Sequence, residues 1–353
     1  DPAYLHTVTL DELMDNVFDF EMADYISRHL AKKGIAVHTG VMAKAILGDS
    51  AVTGVETSDG TFSCGLVVVA AGVRPNTAFL EHTGIAMEKG TVLVDDQMQT
   101  SLQDVYAAGD CVMVKNRLTG ANQWSPMGSS ANLEGRTLAQ ILAGAQKRYP
   151  GVLGTSVVKL PELNCGRTGL TEAQAKALGY DVVCTVAVTD DKAHYYPDAS
   201  FFATKLIAEK STHKLLGMQV VGPGAVDKMV DIAVMALNMG AVLEDFENAD
   251  FAYAPPFSSA KDPVNMAGYV IGNVVEGLMK PFYIENLDQI PDTAIRLDVR
   301  TPEECAGGMM PGFINIPLDS LRERMGELDR EKDIYITCQI GLRGYLAQRI
   351  LDQ

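Results

Sequence analysis

The residues in this chain best suited to chemistry are one thiol and one carboxylate. Cys338 follows the apolar run Ile334-Tyr335-Ile336-Thr337 and precedes Gln339-Ile340-Gly341-Leu342-Arg343. That order puts a thiol at the end of a strand, in a loop that enters a helix expected over Gly344 to Leu351. Loop N–H groups from Gln339 to Gly344 should converge on the sulfur, and the helix dipole with Arg343 nearby favours the nucleophilic thiolate. The same cradle suits a persulfide anion. A lone cysteine is more often a small buried hydrophobe, so the reading rests on the whole pattern. Asp298 and Arg300 should brace the loop as an ion pair rather than react. The carboxylate is Asp110, in Thr100-Ser101-Leu102-Gln103-Asp104-Val105-Tyr106-Ala107-Ala108-Gly109-Asp110. Val105 to Ala108 predicts a short buried strand. Gly109 would let a ligand approach the backbone, and Asp110 could accept hydrogen bonds from sugar-like hydroxyls at a strand end. Downstream, Trp124 to Asn132 opens a helix through Leu142, whose first N–H groups suit an electron-rich ligand edge.

The elements that would position these groups are legible along the chain. His6 to Leu10 is a short strand with nothing before it to pair with. Phe20 to Leu30 has helical spacing with Lys32-Lys33-Gly34 as its end. Ile35 to His38 and Ala51 to Asp59 are strands, and Asp59-Gly60 turns into Thr61 to Cys64. Leu66 to Ala71 predicts a buried strand, and Thr91 to Val94 another, with a loop over Lys115 to Gln123. Later come a strand Val157 to Leu160 and a helix Thr171 to Leu178 opened by a Thr171/Gln174 capping box. Antiparallel strands follow over Asp181 to Thr189, Phe201 to Glu209 and Lys214 to Val221, then a long helix Val226 to Met239. Gly222-Pro223-Gly224 mimics a phosphate loop but lacks a third glycine and has Asp227 close by, so it is a turn. The fold class expected is α/β, with Rossmann-like units followed by an α+β unit and a further α/β unit.

Composition bounds the function. The 353 residues suffice for two or three domains, and 47% hydrophobic content supports a packed core. A net charge of −16 argues against a nucleic-acid surface. No apolar run is long enough to cross a membrane, and Asp1-Pro2-Ala3-Tyr4 does not read as a signal peptide. Six cysteines lack disulfide or metal spacing, so reduced thiols in a cytoplasmic protein are expected.

Three sets of motifs carry a resemblance. Leu66-Val67-Val68-Val69-Ala70-Ala71-Gly72, Thr100 to Asp110, and Pro126 to Gly135 together resemble the second flavin-binding segment of the pyridine nucleotide-disulfide oxidoreductases. Phe251 to Asp262 resembles the corresponding run of coenzyme A-disulfide reductases. DVR-T-P-E-E from Asp298, P-G-F-I-N-I-P from Pro311 and C-Q-I-G-L-R from Cys338 resemble a rhodanese domain. Met309-Met310 departs from that pattern, which usually has His-Ile, and is expected to be structural. The resemblance implies partial Rossmann-like FAD/NAD(P) domains, the NAD(P)H-binding part over 1–72 and the FAD-binding part over 73–148. An α+β dimerisation domain (149–270), a linker (271–291) and an incomplete C-terminal α/β rhodanese domain (292–353) would follow. No G-x-G-x-x-G precedes these strands, and the redox cysteine of the reductase family falls outside the residues given.

By the same resemblance, Thr100, Gly109, Asp110, Pro126 and Ala131 would hold FAD, and Asp110 its ribityl chain. Tyr195 (or Tyr196) and Tyr253 would reach a partner subunit's active site, there to stabilise a thiolate or donate a proton. Lys261 would meet a coenzyme A phosphate. Cys338 with Arg343 would relay sulfane sulfur. The implied activity is an FAD- and NAD(P)H-dependent reductase of coenzyme A disulfide, coenzyme A persulfide or polysulfide, acting as a cytoplasmic homodimer. Two alternatives stand beside it: a flavin NADH oxidase or peroxidase of the same fold, and a non-catalytic chain that dimerises and carries sulfur on Cys338.

Overall fold

The computed structural model describes residues 5–9 and 17–353, with side chains 284 and 285 excepted. The chain divides into two compact units, Asp1–Pro161 with Gly166–Thr171, and Glu162–Cys165 with Glu172–Gln353.

In the first unit the strand Leu5–Val8 pairs in parallel with Ile35–His38, which follows it in sequence. Leu10 lies outside the described residues. The helix Phe20–Lys32 joins the pair and buries Met22, Ile26 and Leu30, spaced four apart on one face. It stops at Gly34, whose φ of 78° only glycine adopts cheaply. A meander follows, Ala43–Leu47 with Gly54–Thr57 and Gly60–Ser63, both pairings antiparallel. A further sheet orders Met87–Glu88, Thr91–Leu93, Val112–Lys115 and Asn122–Trp124 side by side. Its core is Val92, Met98, Val112, Val114, Tyr149 and Val152.

Three sequence expectations fail here. Leu66 to Ala71 is irregular, not a buried strand, with Leu66 79% and Val68 80% exposed. A run of β-branched residues reads as a strand from composition, but without a neighbouring strand it has no ladder to join. Val105 to Ala108 makes a single bridge, Gln99 to Tyr106, within a loop closed by Thr100 N–H to Val105 O and Ala107 N–H to Met98 O. The ordered strand instead begins at Val112, so Asp110 sits in the turn before a strand, not past the end of one. The expected loop over Lys115 to Gln123 is the connection of the hairpin Val112–Lys115/Asn122–Trp124.

The second unit contains an antiparallel meander, Val182–Asp190, Phe201–Glu209 and Leu215–Gly222. The helix Val226–Met239 packs on it, and the left-handed Gly240 ends that helix. Gly222 is fixed by packing: a Cβ there would stand 2.2 Å from Phe202 Cδ1, which supports the turn reading over a phosphate loop. The helix Pro263–Val275 lies against the meander. Beyond it, Tyr283 donates a hydrogen bond to Cys184 O at 3.0 Å, tying the following segment to the sheet edge.

The same unit ends in a parallel sheet ordered Ile314–Asn315, Ile295–Asp298, Ile334–Thr337. Helices Pro302–Ala306, Leu318–Arg324 and Leu342–Leu351 flank it. Leu297, Val299, Ile316, Leu321, Leu328, Ala347 and Ile350 form its core. This small sheet delivers Cys338 at a strand's carboxyl end.

Candidate functional site

Cys338 is half-buried where the strand Ile334–Thr337 gives way to the helix Leu342–Leu351. The backbone N–H of Gly341 donates to its sulfur at 3.1 Å, and that of Gly344 at 3.3 Å. Gly341 has φ of 97°, a conformation that turns the loop back on the sulfur and strains any other residue. Two N–H donors at a helix start stabilise negative charge on sulfur without a side-chain base.

Both nearby arginines are already engaged. Arg343 makes a two-pronged pair with Glu304, at 2.6 and 2.7 Å. That pair holds the Glu304 carboxyl down at about 2, helped by the Thr301 N–H. Glu304 also closes a capping box with Thr301 at the start of Pro302–Ala306. Arg343 therefore fixes the loop-bearing helix to its neighbour, and its guanidinium also interacts electrostatically with Cys338. Arg300 chelates the fully buried Asp298, with contacts at 2.7 to 3.1 Å, and donates to Gly308 O at 2.8 Å. This is the bracing pair expected from the sequence. An open cleft of about 460 Å³ lies over the thiol, lined by Arg300, Gly308, Met309, Met310, Pro311, Thr337 and Cys338. Met309 and Met310 are thus part of the site wall, which corrects their reading as structural residues.

In the first unit, Gly109 adopts φ of 90°, and a Cβ there would meet only Ala131 Cβ, at 3.8 Å. The start of the helix Gly128–Leu142 therefore lies against Gly109. Its N-cap, Met127, supplies no side-chain acceptor. Pro126 is half-buried just ahead of that helix. Asp110 is exposed, its carboxylate without a hydrogen bond among the described residues, while its carbonyl accepts from Trp124 Nε1 at 2.7 Å. A free carboxylate, an uncapped helix start and an open glycine fit a polyhydroxylated, electron-rich cofactor. Thr100 is buried, and its hydroxyl accepts from Leu102 N–H within the turn.

Sequence reasoning missed Glu134, which is 2% exposed and accepts from Gly109 N–H at 2.7 Å. Burial pushes its carboxyl up to about 7, Asp110 adds to the rise, and the Gly109 N–H and Tyr149 oppose it. A glutamate four residues before Leu138 on the helix's inner face was the available signal. The folded chain binds this proton at a pH where the unfolded chain, near 4.5, has lost it. Stability from this group therefore declines as pH rises from 4.5 to 7 and levels above that, by up to about 3 kcal/mol. Glu134→Gln should flatten that slope in melting curves taken across the window; parallel profiles for the two proteins would rule the assignment out.

Tyr195 and Tyr253, far apart in sequence, come together in the second unit. A hydrogen bond to Tyr195, with some burial, raises the Tyr253 phenol above its ordinary value. Both rings are exposed, Tyr195 at 68% and Tyr253 at 48%. Their loops are joined by Ala193 N–H donating to Ser258 O. Asp262, 2% exposed, accepts from Ser258 Oγ at 2.8 Å, Lys228 Nζ at 3.0 Å and Val264 N–H at 3.0 Å, capping the helix Pro263–Val275. Lys261, beside it, is exposed. Several other thiols differ from Cys338: Cys165 is fully buried and pushed up to about 12, Cys184 is buried, and burial also raises Cys111 and Cys305.

Comparison with known proteins gives three family matches. Residues 6–129 match the pyridine nucleotide-disulphide oxidoreductase model, 155–263 its dimerisation domain, and 284–353 the rhodanese-like domain. A relative, the NAD(P)H sulfur oxidoreductase (CoA-dependent) of Pyrococcus furiosus, is 33% identical over 74% of this chain and 59% of its own length. The structure of reduced Bacillus anthracis CoADR-RHD superposes with TM-score 0.92 at 36% identity, over 98% of this chain and 63% of that one. The NAD-dependent persulfide reductase from A. fulgidus gives TM-score 0.91 at 34% identity, over 99% and 64%. The chain thus spans about three-fifths of the length of these proteins.

Proposed function

Because the chain belongs to the pyridine nucleotide-disulphide oxidoreductases and carries a rhodanese-like domain, we propose that it is part of an NAD(P)H-dependent reductase of persulfides, polysulfides or coenzyme A disulfide. Sulfane sulfur is relayed through Cys338. The observation that carries the relay is the pair of backbone N–H donors aimed at its sulfur. The Cys338 thiolate attacks the terminal sulfur of R–S–S⁻, the donor S–S bond breaks, and R–S⁻ leaves as Cys338–S–S⁻ forms. The new anion meets the same two donors that held the thiolate. Glu304 and Arg343 are positioning residues that keep the helix start in register with the strand.

FAD, when bound, supplies the path for an electron pair from NAD(P)H to sulfur. Asp110 is suited to hold its ribityl hydroxyls, and the Gly128–Leu142 helix start its electron-rich edge, with Gly109 and Ala131 as the small residues between. Tyr195 and Tyr253 form a phenol pair able to donate a proton to a leaving thiolate, and the exposed Lys261 is the candidate for meeting a coenzyme A phosphate. The match of residues 155–263 to a dimerisation domain supports a homodimer. Among the described residues no helix is long and apolar enough to cross a membrane.

The intact protein is expected to show flavin absorbance and to consume NADH without oxygen once coenzyme A persulfide is supplied. NADH consumption that waits for oxygen would replace this reading with the oxidase one.

A further inference from the structure

Glu134 is 2% exposed, and its contacts reach both of the elements assigned above to FAD. Its Oε2 accepts from Gly109 N–H at 2.7 Å, directly before the Asp110 carboxylate. It stands three residues beyond Ala131, whose Cβ is 3.8 Å from where a Gly109 Cβ would lie, so one helix face carries both. On its other side Glu134 meets the Tyr149 phenol, which also meets Ser130. Ser130 Oγ lies 3.0 Å from Ser125 Oγ, beside the start of the helix Gly128–Leu142. One buried carboxyl thus touches the turn that bears Asp110 and, through the hydroxyls of Tyr149 and Ser130, the helix start.

We propose that Glu134 is a positioning residue for FAD: as a carboxylate it holds the Gly109–Asp110 turn and orders the hydroxyls at the helix start, and its proton is released as FAD binds. The inference rests on the FAD reading above and adds its regulation. A carboxylate takes the Gly109 N–H in a charge-assisted bond, about twice as strong as a neutral one. It accepts from the Tyr149 O–H at the same time. A neutral carboxyl has to donate its own proton. Tyr149 then turns to accept it and donates onward to Ser130, so the chain to Ser125 runs the other way. Burial, and after it the Asp110 charge, raise the Glu134 carboxyl to about 7. Hydroxyls donating to Asp110 spread that charge and lessen the repulsion, while Glu134 is already out of water and loses little more. Cofactor binding therefore lowers the proton affinity of Glu134, and by reciprocity loss of the proton tightens the cofactor. The other groups facing this carboxyl are Tyr149, pushed up to about 12, Cys111, also raised, and, across Tyr149, Arg117. Neither that phenol nor that thiol ionises near neutrality.

The test is the affinity for FAD of apoprotein prepared from the intact protein, titrated by flavin fluorescence from about pH 5 to about pH 8. The wild type should bind about tenfold more tightly at the upper end, with the rise complete near pH 7. Glu134→Gln keeps an oxygen for the Gly109 N–H but cannot ionise, so it should bind at the weaker wild-type level with no step. Amide exchange of the apoprotein over residues 105–111, corrected for its intrinsic pH dependence, should slow through the same step in the wild type and not in Glu134→Gln. A wild-type affinity that is flat across this range, or a step that Glu134→Gln retains, would overturn the inference and leave FAD binding standing. Apoprotein that takes up no FAD at any pH would overturn the FAD reading, and the inference with it.

Discussion

Cys338→Ser is expected to end sulfur uptake by the chain, slowing it by at least about a thousandfold, the scale on which loss of a covalent nucleophile is felt. A serine hydroxyl can accept the Gly341 and Gly344 N–H bonds that the sulfur accepts. The loop should therefore keep its shape and the melting temperature should hardly move. What is lost is the thiolate, because a hydroxyl stays protonated at neutral pH and forms no stable bond to sulfane sulfur. Four of the other five thiols are poorly suited to substitute. Cys165 and Cys184 are buried, and Cys111 and Cys305 are held toward the protonated thiol. Cys305 is additionally disfavoured as a thiolate by the Asp298 carboxylate beside it. Incubation with a persulfide followed by intact mass measurement checks this. A variant that still gains one sulfur would place the carrier elsewhere.

Asp262→Ala should be the most damaging single change to the tyrosine-bearing face, at about 2–4 kcal/mol. One buried carboxylate there holds a helix N-terminus, a buried serine and a lysine. Lys228 is 38% exposed on its side chain, so the ion pair contributes the smaller share and the cap and the Ser258 bond the larger. Alanine leaves Ser258 Oγ, which is fully buried, without an acceptor. Because Ser258 O accepts the Ala193 N–H, the loops that present Tyr195 and Tyr253 should loosen together. Asp262→Asn, which keeps an oxygen for the Val264 N–H, should recover part of the loss. Denaturant unfolding gives the magnitude, and amide exchange over residues 251–262 gives the location. A loss under about 1 kcal/mol with unchanged exchange would mean the loop is held by other contacts.

How much of this was legible in the sequence depended on whether a residue's role was set locally. The helices Phe20–Lys32 and Val226–Met239 have strong periodicity and glycine stops, and both fall where the pattern put them. The Cys338 loop was readable because strand, thiol, glycine and helix start are contiguous. The misread runs were those whose state depends on distant partners. Leu66 to Ala71 and Val105 to Ala108 have strand composition, yet ladder pairing is a property of neighbours and not of the run itself. Glu134, Glu304 and Asp262 were missed for the same reason. Each is an ordinary acidic residue in its local sequence, and only tertiary packing brings Gly109, Arg343 or Ser258 to it. Met309-Met310 could be seen to depart from the rhodanese pattern, but its place on the cleft wall required the fold.

The most direct test of sulfur relay into a reductase follows the persulfide itself. Cys338 would be loaded with one sulfur in the intact protein, excess donor removed, and NADH added without oxygen in the presence of coenzyme A. The account predicts that the persulfide leaves Cys338 as NADH is consumed and hydrosulfide appears in equal amount. A persulfide that stays on Cys338 while NADH remains unoxidised would contradict it.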